Sequence, residues 1–305
     1  MKVNHNEIFK YYQKGIYPPV EKLYAIGDIH GDFNAFILCL KKAQLIDSNY
    51  HWIGKNAHVV QIGDILDRKI RLNSIEHNDE DSEFKIISLI CNLQLEAYIA
   101  GGGFHPIIGN HELMNILGMF EYVSPLGIKH FKNIDNRKEY FKIGGLFCKY
   151  LSCGWNPVIK IGDFIFCHGG ISLNISNNYT IEEINYIMRD TLYGNKKHIQ
   201  EEYFKKLFLD DQSILWNRTF SSDISKYKEN LEYSNLLKIL NNYDVQYMIV
   251  GHTPNENGIK NKFNGRVFCI DTAMSEAFGK KENKMDRIHY IQILLNEKDN
   301  KIIIY

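Results

Sequence analysis

Apolar residues follow two rhythms in the first half of the chain. Continuous runs at residues 22–27 (KLYAIG), 57–63 (AHVVQIG) and 104–109 (FHPIIG) read as buried strands, each running into a glycine. Between them, residues 32–45 place Phe33, Phe36, Ile37, Leu40 and Ala43 at a helical period, and residues 84–99 read as a second helix. Gly101-Gly102-Gly103 suits that helix's C-terminus, and a short helix is predicted from Glu112. The succession of strand, helix and strand predicts a mostly parallel sheet covered by helices.

The second half reads differently. Residues 158–167 (VIKIGDFIFC) form a predicted hairpin with Gly162-Asp163 in the turn. Helical patterns follow near 180–209 and 231–242, and strands are predicted at 246–250, 266–270, 288–295 and 301–305. The C-terminal part is therefore expected to build a second sheet with antiparallel pairing. Residues 69–83 (KIRLNSIEHNDEDSE) read as a solvated acidic insert, and the basic, aromatic stretch 129–142 as a surface helix or loop.

Length and charge narrow the function. A chain of 305 residues suits one elaborated domain spanning 1–305. Lys plus Arg and Asp plus Glu both number 36, which argues against a nucleic-acid partner held by phosphate attraction and against a polybasic membrane anchor. No run approaches the roughly 18 apolar residues of a membrane span. Six cysteines without C-x-x-C spacing read as reduced thiols, and with no basic-then-apolar leader pattern the expected location is cytoplasmic.

Five short segments carry the chemistry: Gly27-Asp28-Ile29-His30-Gly31, Gly63-Asp64-Ile65-Leu66-Asp67-Arg68, Gly109-Asn110-His111-Glu112, His168-Gly169-Gly170 and Gly251-His252-Thr253. Each follows a strand-like run, and loops at the carboxyl ends of strands are where open α/β sheets build sites. Asp28 and His30, two apart on an extended segment, should point to one side and hold one metal ion. Asp64 has two oxygens and can bridge to a second ion, which Asn110, His168 and His252 complete. Neighbours on an extended segment face opposite ways, so His111 is left to face the substrate. Carboxylate, amide and imidazole without thiolate suit two divalent ions, manganese first, with iron or zinc as alternatives.

Together these motifs resemble the phosphoprotein phosphatase branch of the calcineurin-like metallophosphoesterases. The run from Gly109 to Asn115, Glu121-Tyr122-Val123, Ile214 to Arg218, Gly251 to Pro254 and Ile270 to Ser275 are similar to the Shewanella-like protein phosphatases. The resemblance covers residues 22–275 and implies an α/β/β/α sandwich of two mixed sheets flanked by helices. It implies a metal-dependent protein phosphatase acting on a phosphorylated protein or peptide. His111 would be the general acid, oriented by Asp67. Arg68 and Arg218, with Asn110, would hold the phosphate. The sequence departs from the family pattern at Lys69, where a glycine is usual, at Asn217, where an aromatic is usual, and at Ala273. A dinucleoside polyphosphate hydrolase of the same fold is the nearest rival reading. A catalytically inactive binding module is a second, although every matched ligand position is intact.

Overall fold

The computed structural model describes residues 5–71, 79–279, 284–295 and 300–305. Among these residues the strands, in chain order, are β1 (Ile16–Tyr17), β2 (Lys22–Ile26), β3 (His58–Gln61), β4 (Gly103–Pro106), β5 (Val158–Ile161), β6 (Phe164–Cys167), β7 (Tyr247–Val250), β8 (Lys260–Lys262), β9 (Val267–Cys269), β10 (Tyr290–Leu295) and β11 (Asn300–Ile304). The α-helices are α1 (His5–Gln13), α2 (Phe33–Lys42), α3 (Glu83–Ile99), α4 (Asn110–Ile116), α5 (Pro125–His130), α6 (Ile134–Phe141), α7 (Leu146–Leu151), α8 (Leu173–Asn178), α9 (Ile181–Tyr193), α10 (Glu202–Phe208) and α11 (Lys226–Asn242).

Strand alternation explains how the layers form. On β2, Leu23 and Ala25 face a second sheet, whereas Tyr24 and Ile26 face helices. The layer between the sheets joins Leu23, Val60, Ile62 and Ile107 of one to Ile159, Phe164, Phe166 and Ile249 of the other. Outside the first sheet, Val59 and Phe104 pack in one cluster with Phe36, Leu40, Ile90 and Leu93. That same cluster takes in Ile165 and Met248 of the second sheet with Ile184, Met188, Leu236 and Ile239. Both faces of each sheet are covered, which is why the strands read as unbroken apolar runs. The result is the expected α/β/β/α sandwich of two mixed sheets.

Pairing directions depart from expectation in the C-terminal part. The first sheet has the order β11-β10-β2-β3-β4, and the second β1-β5-β6-β7-β9-β8. β7 and β9 continue parallel to β6, while β10 runs antiparallel to β2. The last two strands thus return to the first sheet instead of extending the second. Their apolar pattern suits a buried strand in either sheet, and only long-range hydrogen bonding selects one. The segment 129–142 is also less superficial than expected, because α6 buries Arg137 and Phe141. Residues 72–78 of the acidic insert lie outside the described residues. Its described acids are engaged: Asp79 accepts from the Leu126 amide at 2.8 Å, and Glu80 lies 3.3 Å from Arg68.

At the β1 side of the inter-sheet layer, His58 Nδ1 sits 3.0 Å from His105 Nε2, and the His105 ring lies 4.5 Å from that of Tyr17. Burial holds His58 down at about 4 and keeps His105 well below its ordinary value. Both bind fewer protons folded than unfolded, so their contribution is present above the unfolded value near 6.5 and is lost as pH falls toward 4. Chemical denaturation should show stability falling between pH 7 and pH 5, by roughly 1.4 kcal/mol per pH unit at most for one such group. The fall should be shallower in His58→Gln. Equal slopes in both proteins would show that this pair is not responsible.

Candidate active site

Asp28, Asp64, Asn110, His168 and His252 each follow the carboxyl end of a strand, namely β2, β3, β4, β6 and β7. The two sheets bring these ends together into a cavity of about 200 Å³. Its lining includes His30, Asp64, Asn110, His111, Arg218 and His252, with Arg71, Tyr122, Trp216 and Phe278.

The loops reach this convergence by an unusual backbone. His30, Asp64, Asp67 and His252 all have positive φ, at 42°, 53°, 73° and 67°. Such strain persists in non-glycine residues only where surroundings fix it, and it clusters at functional sites. Asp28 and His30 therefore do not lie on an extended segment, as the sequence reading assumed. Asn110 and His111 open α4 instead of ending a strand, and both reach the same cavity. Two glycines allow the close approach. A Cβ at Gly109 would stand 2.2 Å from Asp64 Oδ1, and one at Gly251 2.3 Å from Asp28 Oδ1.

Asp64 is the hub. Its Oδ2 lies 3.2 Å from His168 Nε2, 3.7 Å from His30 Nε2 and 3.9 Å from His111 Nε2. Two groups of donor atoms result, His30–Asp64–His111 and Asp64–His168–His252, each with its atoms within 4.8 Å of one another. His168 Nδ1 faces the Ile62 carbonyl at 2.9 Å, and His30 Nδ1 faces that of Leu66 at 3.2 Å. Each Nδ1 donates to a carbonyl, which turns Nε2 toward Asp64, where it can offer a lone pair once a cation takes the place of a proton. Asn110 Oδ1 sits 2.8 Å from His168 Nε2.

The same centre holds polar atoms without partners. Asp28 accepts the His252 amide on Oδ2 at 3.1 Å, but its Oδ1 and the Nε2 of His252 are buried without a hydrogen bond. Burial, with Asp271 and Asp64 nearby, pushes the Asp28 carboxyl well above its usual range. Burial and the neighbouring His168 hold His252 down at about 2. Unpaired donors of this kind are costly without a partner. An N/O donor set sharing one carboxylate fits divalent cations.

Beside this centre, His111 Nδ1 donates to Asp67 Oδ2 at 2.7 Å. Burial works against protonating His111, yet the Asp64 and Asp67 carboxylates outweigh it and raise its pKa. Asp67 Oδ1 accepts from Asn115 Nδ2 at 2.8 Å, and Asn115 Oδ1 accepts from Arg137 Nη2 at 2.7 Å. Arg137, with 0% exposure, also donates to Glu83 at 2.8 Å. The sequence reading missed this chain of contacts. Asn115 lies one helical turn after His111 and was findable on that spacing. Arg137 sits among exposed residues of a basic stretch, and nothing local separates it from them.

Arg218 lines the cavity, anchored by Nη1 donating to the His252 carbonyl at 2.7 Å. Arg68 does not. Its guanidinium is 1% exposed, pairs with Asp32 at 2.9 Å, and lies within 3.7 Å of Glu276 as well as near Glu80. Surrounded by carboxylates, it ties the first two motifs together and contributes nothing to the cavity wall. Cys167, beside His168, is a buried thiol whose pKa burial raises, as expected of a packing residue.

A family profile described as calcineurin-like phosphoesterase matches residues 21–256. The chain is similar to Shewanella-like protein phosphatase 1 of Plasmodium berghei (strain Anka), 35% identical over 257 residues that cover 83% of this chain and 67% of that one. It is also similar to Shewanella-like protein phosphatase 2 of Arabidopsis thaliana, 29% identical over 298 residues, 84% of this chain and 72% of that one. Among solved structures, it superposes on a cold-active protein-tyrosine phosphatase of a psychrophilic Shewanella species with a TM-score of 0.68 and 25% identity, covering 91% and 76% of the two chains. A second structure titled cold-active protein tyrosine phosphatase gives a TM-score of 0.74 at 24% identity, covering 96% and 78%.

The buried network behind Asp67 has a measurable consequence. Arg137→Leu leaves Glu83 buried without its cation and should cost about 3–5 kcal/mol of stability. Urea denaturation beside a variant of the exposed Lys196, Lys196→Leu, expected within about 0.5 kcal/mol of the parent, checks this. A loss below 1 kcal/mol for Arg137→Leu would show that the pair is dispensable.

Proposed function

The chain belongs to the calcineurin-like phosphoesterases, in the group of the Shewanella-like protein phosphatases, and on that premise we propose a phosphatase of phosphorylated proteins or peptides working through two divalent ions. The observation that supports this reading best is the sharing of Asp64 between two donor groups, with the His111–Asp67 pair beside them. In this reading Asp28, His30 and Asp64 hold one ion, and Asp64, Asn110, His168 and His252 the other. Manganese suits the donor set, with iron and zinc as alternatives. When bound, such ions supply Lewis acidity toward phosphoryl oxygens and a water of lowered pKa.

The chain's own residues supply the rest. Protonated His111 keeps Nδ1–H on Asp67 and presents its Nε2 proton to the leaving oxygen. Asn110 turns Oδ1 to the His168 side, and its Nδ2, held only by a 3.9 Å contact to Met114 Sδ, keeps an N–H group for a phosphate oxygen. Arg218 is fixed at the cavity edge by the His252 carbonyl and offers its remaining N–H groups to the phosphate. Six free cysteines fit a reducing compartment such as the cytoplasm. Among the described residues, no helix is long and apolar enough to cross a membrane.

Phosphate release from an aryl phosphate and from phosphotyrosine and phosphothreonine peptides, with and without Mn²⁺, tests the reading. Asp64→Asn should lose both bound metal and turnover. His111→Asn should keep its metal and lose roughly 10²–10⁴ in kcat. A folded protein that turns over nothing with any divalent ion would favour a binding module. Faster cleavage of a dinucleoside polyphosphate than of every phosphopeptide would favour that rival hydrolase.

A further inference from the structure

The run Arg68-Lys69-Ile70-Arg71 carries two arginines with opposite fates. Arg68 turns inward to Asp32, Glu80 and Glu276. The chain then crosses the mouth of the cavity: the Lys69 amide donates to the Tyr122 carbonyl at 3.0 Å, and that of Arg71 to the Ala277 carbonyl at 2.8 Å. These two bonds place Arg71 on the cavity wall, among His30, Asp64, His111 and Arg218. Its guanidinium stacks 4.5 Å above the Tyr122 ring and 5.6 Å from that of Phe278.

We infer that Arg71 is a phosphate-binding residue of this site, taking with Arg218 the clamping role that the family resemblance gives to Arg68. Three observations carry the assignment. First, no carboxylate among the described residues forms an ion pair with Arg71, although it is half-buried. A guanidinium in that setting lacks its counter-charge until an anion arrives.

Second, its donations among the described residues are few and peripheral, from Nη1 to the Lys69 carbonyl at 3.2 Å and from Nη2 to that of Asp67 at 3.4 Å. The Nη2 contact with His30 Nδ1, at 3.2 Å, is no donation once that nitrogen gives its own proton to Leu66. Of five N–H groups, about three remain for a ligand. Third, stacking on two rings fixes the plane of the fork while its edge stays free, and a fixed planar fork suits a tetrahedral phosphate. The carboxylates whose charge reaches Arg71 are Asp67, Asp64 and Asp271, none of them within ion-pair distance, and Asp64 is the one shared by the two donor groups.

This inference rests on the phosphatase reading for its substrate, but its test does not require turnover. Binding of inorganic phosphate to the Mn²⁺-loaded protein is measured by calorimetry for the parent, Arg71→Ala and Arg71→Gln. Both variants should bind phosphate about tenfold or more weakly, the loss expected of one charge-assisted contact. Metal content and thermal midpoint should match the parent. On an aryl phosphate both should raise KM more than they lower kcat. Unchanged phosphate affinity in Arg71→Ala, within twofold, would overturn the assignment. So would a tenfold loss of affinity in a folded Arg68→Lys that exceeds the loss in Arg71→Ala. Absence of turnover in the parent would count against the phosphatase reading, while the binding comparison still decides the place of Arg71.

Discussion

The carboxylate of Glu112 accepts from four backbone amides: Gly109 at 2.8 Å, Asp64 at 2.9 Å, Ile65 at 2.9 Å and Leu66 at 3.1 Å. It caps α4 from its third residue and, in the same stroke, holds the loop after β3 against the loop after β4. Burial and the Asp64 charge push its pKa up to about 7, while donors from Gly109 and Leu66 pull toward the charged form. The rest of the centre hangs on this clamp. Asp64 keeps its positive φ because its own amide is held there, and its Oδ1 then accepts the His111 amide at 3.0 Å. The placement of Asp64 between His30, His111 and His168 follows from one side chain that binds backbone amides alone.

A second layer of buried charge supports the chemistry from behind. Arg137 lies 4.6 Å from the Phe141 ring, pairs with Asp67 Oδ1 at 3.8 Å, and reaches the same oxygen by hydrogen bonds through Asn115. Glu83, which pairs with Arg137, also accepts the Asp67 amide at 2.9 Å. Asp67 is thus gripped at both backbone and side chain, and it passes that rigidity to His111. Holding His111 in this way costs buried ions, which are tolerated because each finds its partner.

Arg68 and Arg71 show how one sequence neighbourhood can serve structure and site at once. Asp32 uses Oδ1 to cap α2 through the Ala35 amide at 2.9 Å and Oδ2 for the Glu276 amide at 2.9 Å. Arg68 binds the same Oδ2, so three loops that border the cavity are joined at one buried point. The cavity wall above is left to Arg71, which lies over the Tyr122 and Phe278 rings and forms no ion pair with a described carboxylate.

The layers were legible in the sequence because burial on both faces of a strand writes itself locally, as unbroken runs such as KLYAIG and HVVQ. The candidate ligand set was legible for a related reason: Asp28, His30, Asp64, Asn110, His168 and His252 each sit just past such a run, where strand ends must converge. Their identities carry the chemistry without any knowledge of neighbours. Strand direction in the C-terminal part was not legible, since β10 pairs with β2, more than 200 positions away, and carries β11 on its other edge. Nor were the backbone angles of His30 and Asp64, which only the surrounding contacts impose. The fates of Arg68, Arg71 and Arg137 were decided by tertiary structure alone. An arginine's partner is whichever carboxylate, ring or open cavity the fold brings within reach of a long side chain, and no local pattern records that distance.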